Sequence, residues 1–282
     1  MNTRHIITSE TFARPWIEQI INRAEQFMQD GFVHTLPNKI IGTYFFEPST
    51  RTRLSFTTAG YRLGAEVVGF DNVAGTSIAK GESLEDTIRM VSNYSDVIIM
   101  RHPETGSAKR AADIATVPVI NAGDGANQHP SQTLLDLVTI KQALGRLDDF
   151  KILMIGDIEY SRVVHSLADT LKLFNNVEQV LINPMKESYQ PYLADADIIL
   201  VTRVQHERYS DAQAVAEFKE SYCFSVADAQ QMKSGAKIIS PLPRLSELPT
   251  TLDLLPQAYY FQQAAFGVPV RAALLEYVLG VW

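Results

Sequence analysis

The stretch Ile40-Ile41-Gly42-Thr43-Tyr44-Phe45-Phe46 is a short, nearly continuous apolar run, and it leads straight into Glu47-Pro48-Ser49-Thr50-Arg51-Thr52-Arg53. Such a run marks a strand buried in a parallel sheet, because crossover helices cover both faces of that kind of sheet. The residues that follow predict a helix from about Thr50 to Leu63. A strand that turns into a helix at serine and threonine exposes backbone N–H groups at the helix start. Those groups, the hydroxyls and the helix dipole favour an anion. Arginine adds a planar fork that matches phosphate oxygens. Ser49-Thr50-Arg51-Thr52-Arg53 therefore reads as a phosphate cradle built without a glycine-rich loop. The plainer alternative is a capped helix with solvated arginines.

Outward from this point the chain alternates strands and helices. Upstream, Ile17, Ile20, Ile21, Ala24, Phe27 and Met28 recur at helical spacing. Downstream, EVVGF (66–70), DVIIM (96–100) and VPVIN (117–121) read as further strands. Ser83 and Asp86 suit a capping box for a helix through about Tyr94. Pro130 suits the first position of a helix through about Ala143. Polar GRLDDF (145–150) breaks the pattern, which then restarts. KILMIGD (151–157), VEQVLINP (177–184), ADIILVTR (196–203), KIIS (237–240) and AYYF (258–261) read as strands. A helix is expected from about Ser161 to Phe174, and VRAALLEYVLGV (270–281) closes the chain as an amphipathic helix. Two such runs predict an α/β fold of two doubly wound parallel-sheet domains, with the active site in the cleft between them. The expected division is 1–145, joined by a C-terminal helix 266–282, and 146–265.

Composition narrows the function. A chain of 282 residues suits two domains. Its formal net charge of -7 repels polyphosphate backbones, which sets nucleic acid aside. A lone cysteine, Cys223, excludes an internal disulfide and a cysteine-rich metal site, and its expected place is a buried one. The N-terminus lacks the apolar core of a signal peptide, and no apolar run approaches the roughly 18 residues of a membrane span. A cytoplasmic enzyme fits these features.

Three further motifs carry chemistry. Asn127-Gln128-His129-Pro130-Ser131-Gln132 follows VPVINAGDG. His129, at the mouth of a helix, can polarise a carbonyl oxygen, and Gln132 one turn on can bind an amide. The alternative is a histidine that caps its own helix. Arg101 ends the strand DVIIM and faces the same edge, unless it is a loop arginine in solvent; His102 reads as structural or solvated. Arg162 follows IGDIEYS, and Arg203 and Gln205 follow ADIILVT. Two arginines after strand ends suit the two carboxylates of a diacid, with surface salt bridges as the alternative.

FFEPSTRTR, KGES, RHP, NAGDGANQHPSQTLLDL, RVQHER, PLPR and the late FQQ…VR occur in this order over nearly the whole chain. Together they resemble the aspartate/ornithine carbamoyltransferase family, and RVQHER (203–208) resembles its aspartate branch. The resemblance implies transfer of the carbamoyl group from carbamoyl phosphate to the amino group of L-aspartate, without cofactor or metal. That reaction gives N-carbamoyl-L-aspartate and phosphate, early in pyrimidine biosynthesis. By the same resemblance Ser49, Thr50, Arg51 and Thr52 bind the phosphate. Thr52, Arg101 and His129 hold the carbonyl oxygen. Gln132 and the backbone carbonyls of Pro241 and Leu242 hold the carbamoyl amide. Arg162 takes the α-carboxylate of aspartate, and Arg203, Gln205 and Lys80 its side-chain carboxylate. Arg271 matches an arginine near bound ligand. Thr76, Ser77 and Lys80 come from a neighbouring subunit, so the implied unit is a homotrimer with shared sites. Glu47 pairs with Arg162 and Arg208 on closure.

The sequence departs from the family at Thr76, where a Ser-Ser pair is usual, and at Ser240, which replaces a histidine. It is also somewhat short. Regulatory or other pyrimidine-pathway subunits stay open. Two rival readings remain: a transcarbamoylase for a different amine, and a catalytically silent homologue acting as an assembly partner.

Overall fold

The computed structural model describes residues 4–203 and 222–282. They fall into two units, Met1–Val138 with Phe266–Trp282, and Thr139–Ala265.

In the first unit β1 (Ile40–Phe45), β2 (Glu66–Phe70), β3 (Val97–His102) and β4 (Val119–Asp124) pair in parallel, in the order β2-β1-β3-β4. Strands β1, β3 and β4 are almost wholly buried, as their continuous apolar runs require. β2 is an edge strand, and Val68 on it is 42% exposed. Helix α1 (Arg14–Asp30) buries Ile17, Ile20, Ile21, Ala24 and Phe27, the face that its spacing selected. α2 (Thr50–Arg62) follows β1. α3 (Leu84–Val91) starts where Ser83 accepts the Asp86 N–H at 3.1 Å, and it ends earlier than its sequence suggests. The segment Ser-Ala-Lys-Arg-Ala-Ala-Asp-Ile forms α4 (Ser107–Ile114), a helix too short and too small-sided to stand out by periodicity. α5 (Pro130–Leu144) begins at its proline.

The second unit repeats the plan. β5 (Phe150–Ile155), β6 (Val177–Ile182), β7 (Ile198–Val201) and β8 (Lys237–Ile239) form a parallel sheet in the order β6-β5-β7-β8. α6 (Arg162–Leu171) and α7 (Val226–Gln230) accompany it, α7 closed by a complete Ser225–Asp228 capping box. Tyr222, Phe224, Leu248, Leu252 and Tyr260 fill the core beside the strand residues.

Three expectations need correction. AYYF is not a strand. Ala258 makes a single bridge to Ile238, and Tyr260 already opens the last helix, α8 (Tyr260–Val278). That helix begins well before VRAALLEYVLGV, and it is buried on all sides along Val270–Leu275 rather than amphipathic. Cys223 is exposed. It lies between Tyr222 and Phe224, whose buried rings take the inner places.

α8 is tied to the start of the chain by a buried carboxylate. Glu276 is fully buried and accepts from Arg23 Nε at 2.6 Å, Arg23 Nη2 at 2.9 Å, Thr35 Oγ1 at 2.6 Å and Trp282 Nε1 at 3.1 Å. Four donors compensate the desolvation of one anion. Removing it strands them, at a cost of a few kcal/mol. Arg23 keeps some solvent, so we expect Glu276→Ala to lower unfolding free energy by about 2–3 kcal/mol in urea titration.

Candidate active site

In a parallel sheet every strand ends at the same edge, and the crossover helices begin there. In the first unit β1 and β3 are neighbours, while the chain runs from β1 to β2 on the opposite side. The crevice at such a switch of direction is where α/β sheets bind ligands.

The candidate residues of the first unit emerge at this edge. Ser49 is the N-cap residue of α2 by backbone conformation, yet its side chain makes no cap hydrogen bond. The first intrahelical bond is Arg53 N–H to Ser49 O at 3.1 Å, so the amides before it lie ahead of any intrahelical acceptor. Thr50 and Arg51 are exposed, Ser49 is half-buried and Thr52 is buried. Of the two arginines of the motif, Arg53 pairs with Asp71. Arg101 lies at the end of β3. It pairs with Glu47, and its Nη1 donates to Ala122 O at 3.4 Å. No local pattern in the chain marks that partner. His102 is structural, as expected: its Nδ1 accepts the Glu104 N–H at 3.0 Å and its ring packs 4.9 Å from Phe46.

His129 and Gln132, both buried, open α5 beyond β4. The loop that carries them is held by Asp124, itself buried. Its Oδ1 accepts from Asn121 Nδ2 at 2.9 Å and Gln128 N–H at 3.2 Å. Its Oδ2 accepts from Gly106 N–H at 2.9 Å and Asn127 Nδ2 at 3.1 Å. Gln128 in turn accepts from the Ser9 hydroxyl at 2.7 Å, and Asn121 donates to Ile7 O at 2.9 Å. His129 Nδ1 lies 3.4 Å from the Ser131 hydroxyl. Asp124 is a site-building residue outside the candidate motifs, and its signal in the sequence is an aspartate between two glycines before a helix, which marks a turn. Gln132 Nε2 donates to Asp136 Oδ1 at 2.8 Å. Their i,i+4 spacing on a helix is the signal in the sequence that brings these two side chains together.

Thr76, Ser77 and Lys80 follow edge strand β2, in two short 3-10 turns at 73–80, and Lys80 is exposed. Arg271 sits on α8, buried, its guanidinium 5.3 Å from the centre of the Phe56 ring.

The other candidates belong to the second unit, again at carboxyl ends. Arg162 is the first residue of α6, buried, behind a Ser161 side chain that accepts the Val164 N–H at 3.4 Å. Arg203 follows β7 and is half-buried. Gly156, at the end of β5, has φ +134°, and a Cβ there would stand 2.3 Å from Thr202 O. Only glycine lets the two strand ends approach so closely just before Arg203. Pro241 and Leu242 follow β8. Leu242 has φ +54° and precedes a cis proline bond, and the Ser240 N–H donates to Gln263 at 2.7 Å. Gln205 and Arg208 lie outside the described residues. Among the described residues, no group of three His, Cys, Asp or Glu side chains is arranged to hold a metal ion, and no helix is long and apolar enough to cross a membrane.

Two parallel α/β units with arginines and helix starts gathered at strand ends define a protein built to hold small anions. Residues 4–142 match the carbamoyl-P binding domain of aspartate/ornithine carbamoyltransferase, and residues 178–278 match its Asp/Orn binding domain. The chain is 45% identical to the aspartate carbamoyltransferase catalytic subunit of Thermococcus onnurineus, over 99% of this chain and 97% of that one. It superposes on the catalytic subunit of the M. jannaschii aspartate transcarbamoylase with a TM-score of 0.89, at 40% identity and 98% coverage of both chains. For the Trypanosoma cruzi aspartate transcarbamoylase in complex with carbamoyl aspartate and phosphate, the TM-score is 0.91 at 33% identity, over 97% of this chain and 95% of that one. The chain belongs to the aspartate/ornithine carbamoyltransferase family.

The Asp124 network gives a direct test of how the His129 loop is held. Asp124→Ala leaves several buried donors unsatisfied, and we expect a loss of about 3 kcal/mol in urea unfolding. Asp124→Asn, which keeps one acceptor oxygen, should lose less.

Proposed function

We propose that this protein transfers the carbamoyl group of carbamoyl phosphate to the amino group of L-aspartate, releasing phosphate. The observation that carries the proposal is Ser49-Thr50-Arg51-Thr52 at the open N-terminus of α2, beside Arg101 at the end of the adjacent strand. Helix amides, hydroxyls and a guanidinium make a phosphate site, and Arg101 and His129 supply donors for a carbonyl oxygen. Both kinds of group belong to an acyl phosphate.

The uncharged amine of aspartate attacks the carbamoyl carbon. A tetrahedral intermediate forms, its oxygen stabilised by Thr52, Arg101 and His129, and phosphate leaves toward Arg51. The departing phosphate accepts the amine proton, so no side chain has to act as general base. Arg162 and Arg203, with Gln205 and Lys80, take the two carboxylates of aspartate. Because Arg101 is paired with Glu47, bound carbamoyl phosphate has to draw that guanidinium away. Glu47 then becomes available to other arginines, Arg162 and Arg208 in this reading.

The assembly we propose is a homotrimer in the cytoplasm, with Thr76, Ser77 and Lys80 completing a neighbour's site. Leu54 and Tyr61, one face of α2, are each 55% exposed and Val68 on edge strand β2 is 42% exposed, an apolar margin that suits burial against a second copy.

Phosphate release from carbamoyl phosphate, with and without L-aspartate, tests the activity. We expect release to depend on aspartate and to fall at least about 100-fold in kcat/KM for Arg51→Ala, with the fold intact by circular dichroism. Full activity in that variant would reject the phosphate assignment. A panel of amino acids decides between aspartate and another amine. Mixing inactive Lys80→Ala and Arg51→Ala proteins and letting their subunits exchange should restore part of the activity. If none returns, the sites are not shared.

A further inference from the structure

α5 carries a carboxylate one turn below Gln132. Gln132 Nε2 donates to Asp136 Oδ1 at 2.8 Å, and Asp136 is fully buried. A second charge backs it. Arg271 on α8 is buried, and Asp136 is the charged group that acts on it. Gly267 makes room for this guanidinium, since a Cβ there would meet Arg271 Nη1 at 2.3 Å. Burial draws the Arg271 pKa down and Asp136 partly offsets this, leaving it at about 10, so the side chain is still charged at neutral pH. A nearby positive charge favours the ionised carboxylate. An ionised carboxylate only accepts hydrogen bonds, and a carboxamide facing it must therefore turn its NH2 toward it. Asp136 thus fixes which end of Gln132 points which way, an assignment that is otherwise ambiguous for a glutamine.

We propose that Asp136 is a positioning residue that sets the preference of the site for a carbamoyl over an acetyl donor. It occupies Gln132 Nε2 and leaves Gln132 Oε1 as the acceptor offered to the carbamoyl NH2. This rests on the reading above, in which Gln132 meets the carbamoyl group. Acetyl phosphate has a methyl group where carbamoyl phosphate has NH2, and the two are otherwise nearly the same shape. An acceptor oxygen rewards the amide and is left unpaired by the methyl group. A glutamine turned the other way would set NH2 against NH2 and lose that discrimination. Sites built to hydrogen-bond one substrate group reject the analogue lacking it strongly, because a buried polar atom is then left without a partner.

The test is the ratio of kcat/KM for carbamoyl phosphate to that for acetyl phosphate, with L-aspartate as acceptor. It is measured in the intact protein, in Asp136→Asn, in Gln132→Ala and in the double variant. An asparagine at 136 has one oxygen, which Arg271 attracts, so its NH2 faces Gln132 and turns the glutamine over. We expect the ratio to drop at least about tenfold in Asp136→Asn, with KM for aspartate unchanged. The double variant should show no lower ratio than Gln132→Ala alone, because Asp136 acts through Gln132. An unchanged ratio in folded Asp136→Asn, or additive losses in the double variant, overturns the proposal.

Gln132→Glu gives a second measurement that leaves Asp136 in place. Two carboxyl groups so close share one proton, which restores the orientation of the glutamine only while that proton is bound. Carbamoyl transfer by Gln132→Glu should fall as pH rises through a range in which the unaltered protein is constant. A flat profile overturns the proposal even if Asp136→Asn does not fold. Unaltered protein that transfers neither group would instead sink the functional reading on which the proposal stands.

Discussion

Strands that run parallel must all end at one edge, and each helix that returns the chain has to start there with its first amides unsatisfied. This constraint decides what the protein can do. Within each sheet it supplies several electropositive helix starts side by side, and whatever residues follow the strands lie at that sheet's own edge. In the first unit those residues are Ser49–Thr52, Arg101, His129 and Gln132; in the second they are Arg162, Arg203, Pro241 and Leu242. The same strand order in both sheets means that one arrangement of helix starts at strand ends occurs twice, with different side chains.

An edge crowded with donors needs carboxylates underneath it. Asp124 and Asp136 are both buried there; Asp124 collects donors from Gly106, Asn121, Asn127 and Gln128, and Asp136 accepts from Gln132 one helical turn away. Their common effect is geometric. A buried anion with several partners tolerates few alternative arrangements, because a displaced donor remains unpaired in a place water does not reach. Side chains on the loops beside them thereby gain some of the rigidity of a strand.

Much of the architecture was legible because buried parallel strands are uniformly apolar: IIGTYFF and KILMIGD correspond to β1 and β5 within a residue or two. AYYF looked the same by composition, yet Tyr260 is the opening of α8. A short aromatic run does not distinguish a strand from a buried helix. Cys223 departs from its type, which favours burial, because its neighbours Tyr222 and Phe224 hold the inner positions. At the site, the side-chain types and their places after strands were visible in the sequence. Their partners were not. That Arg53 engages Asp71 while Arg101 engages Glu47 depends on which strands lie side by side, and no local pattern encodes it.

The first unit is discontinuous, since Phe266–Trp282 belongs with Met1–Val138, and Glu276 is bound to Arg23 and Thr35. During synthesis the ribosome therefore releases all of Thr139–Ala265 before the first unit can be finished. The earlier half of the chain emerges first and is completed last, holding an unfilled core until α8 arrives to plug it. A truncation near residue 265 would accordingly harm the remote N-terminal portion more than the segment beside the cut.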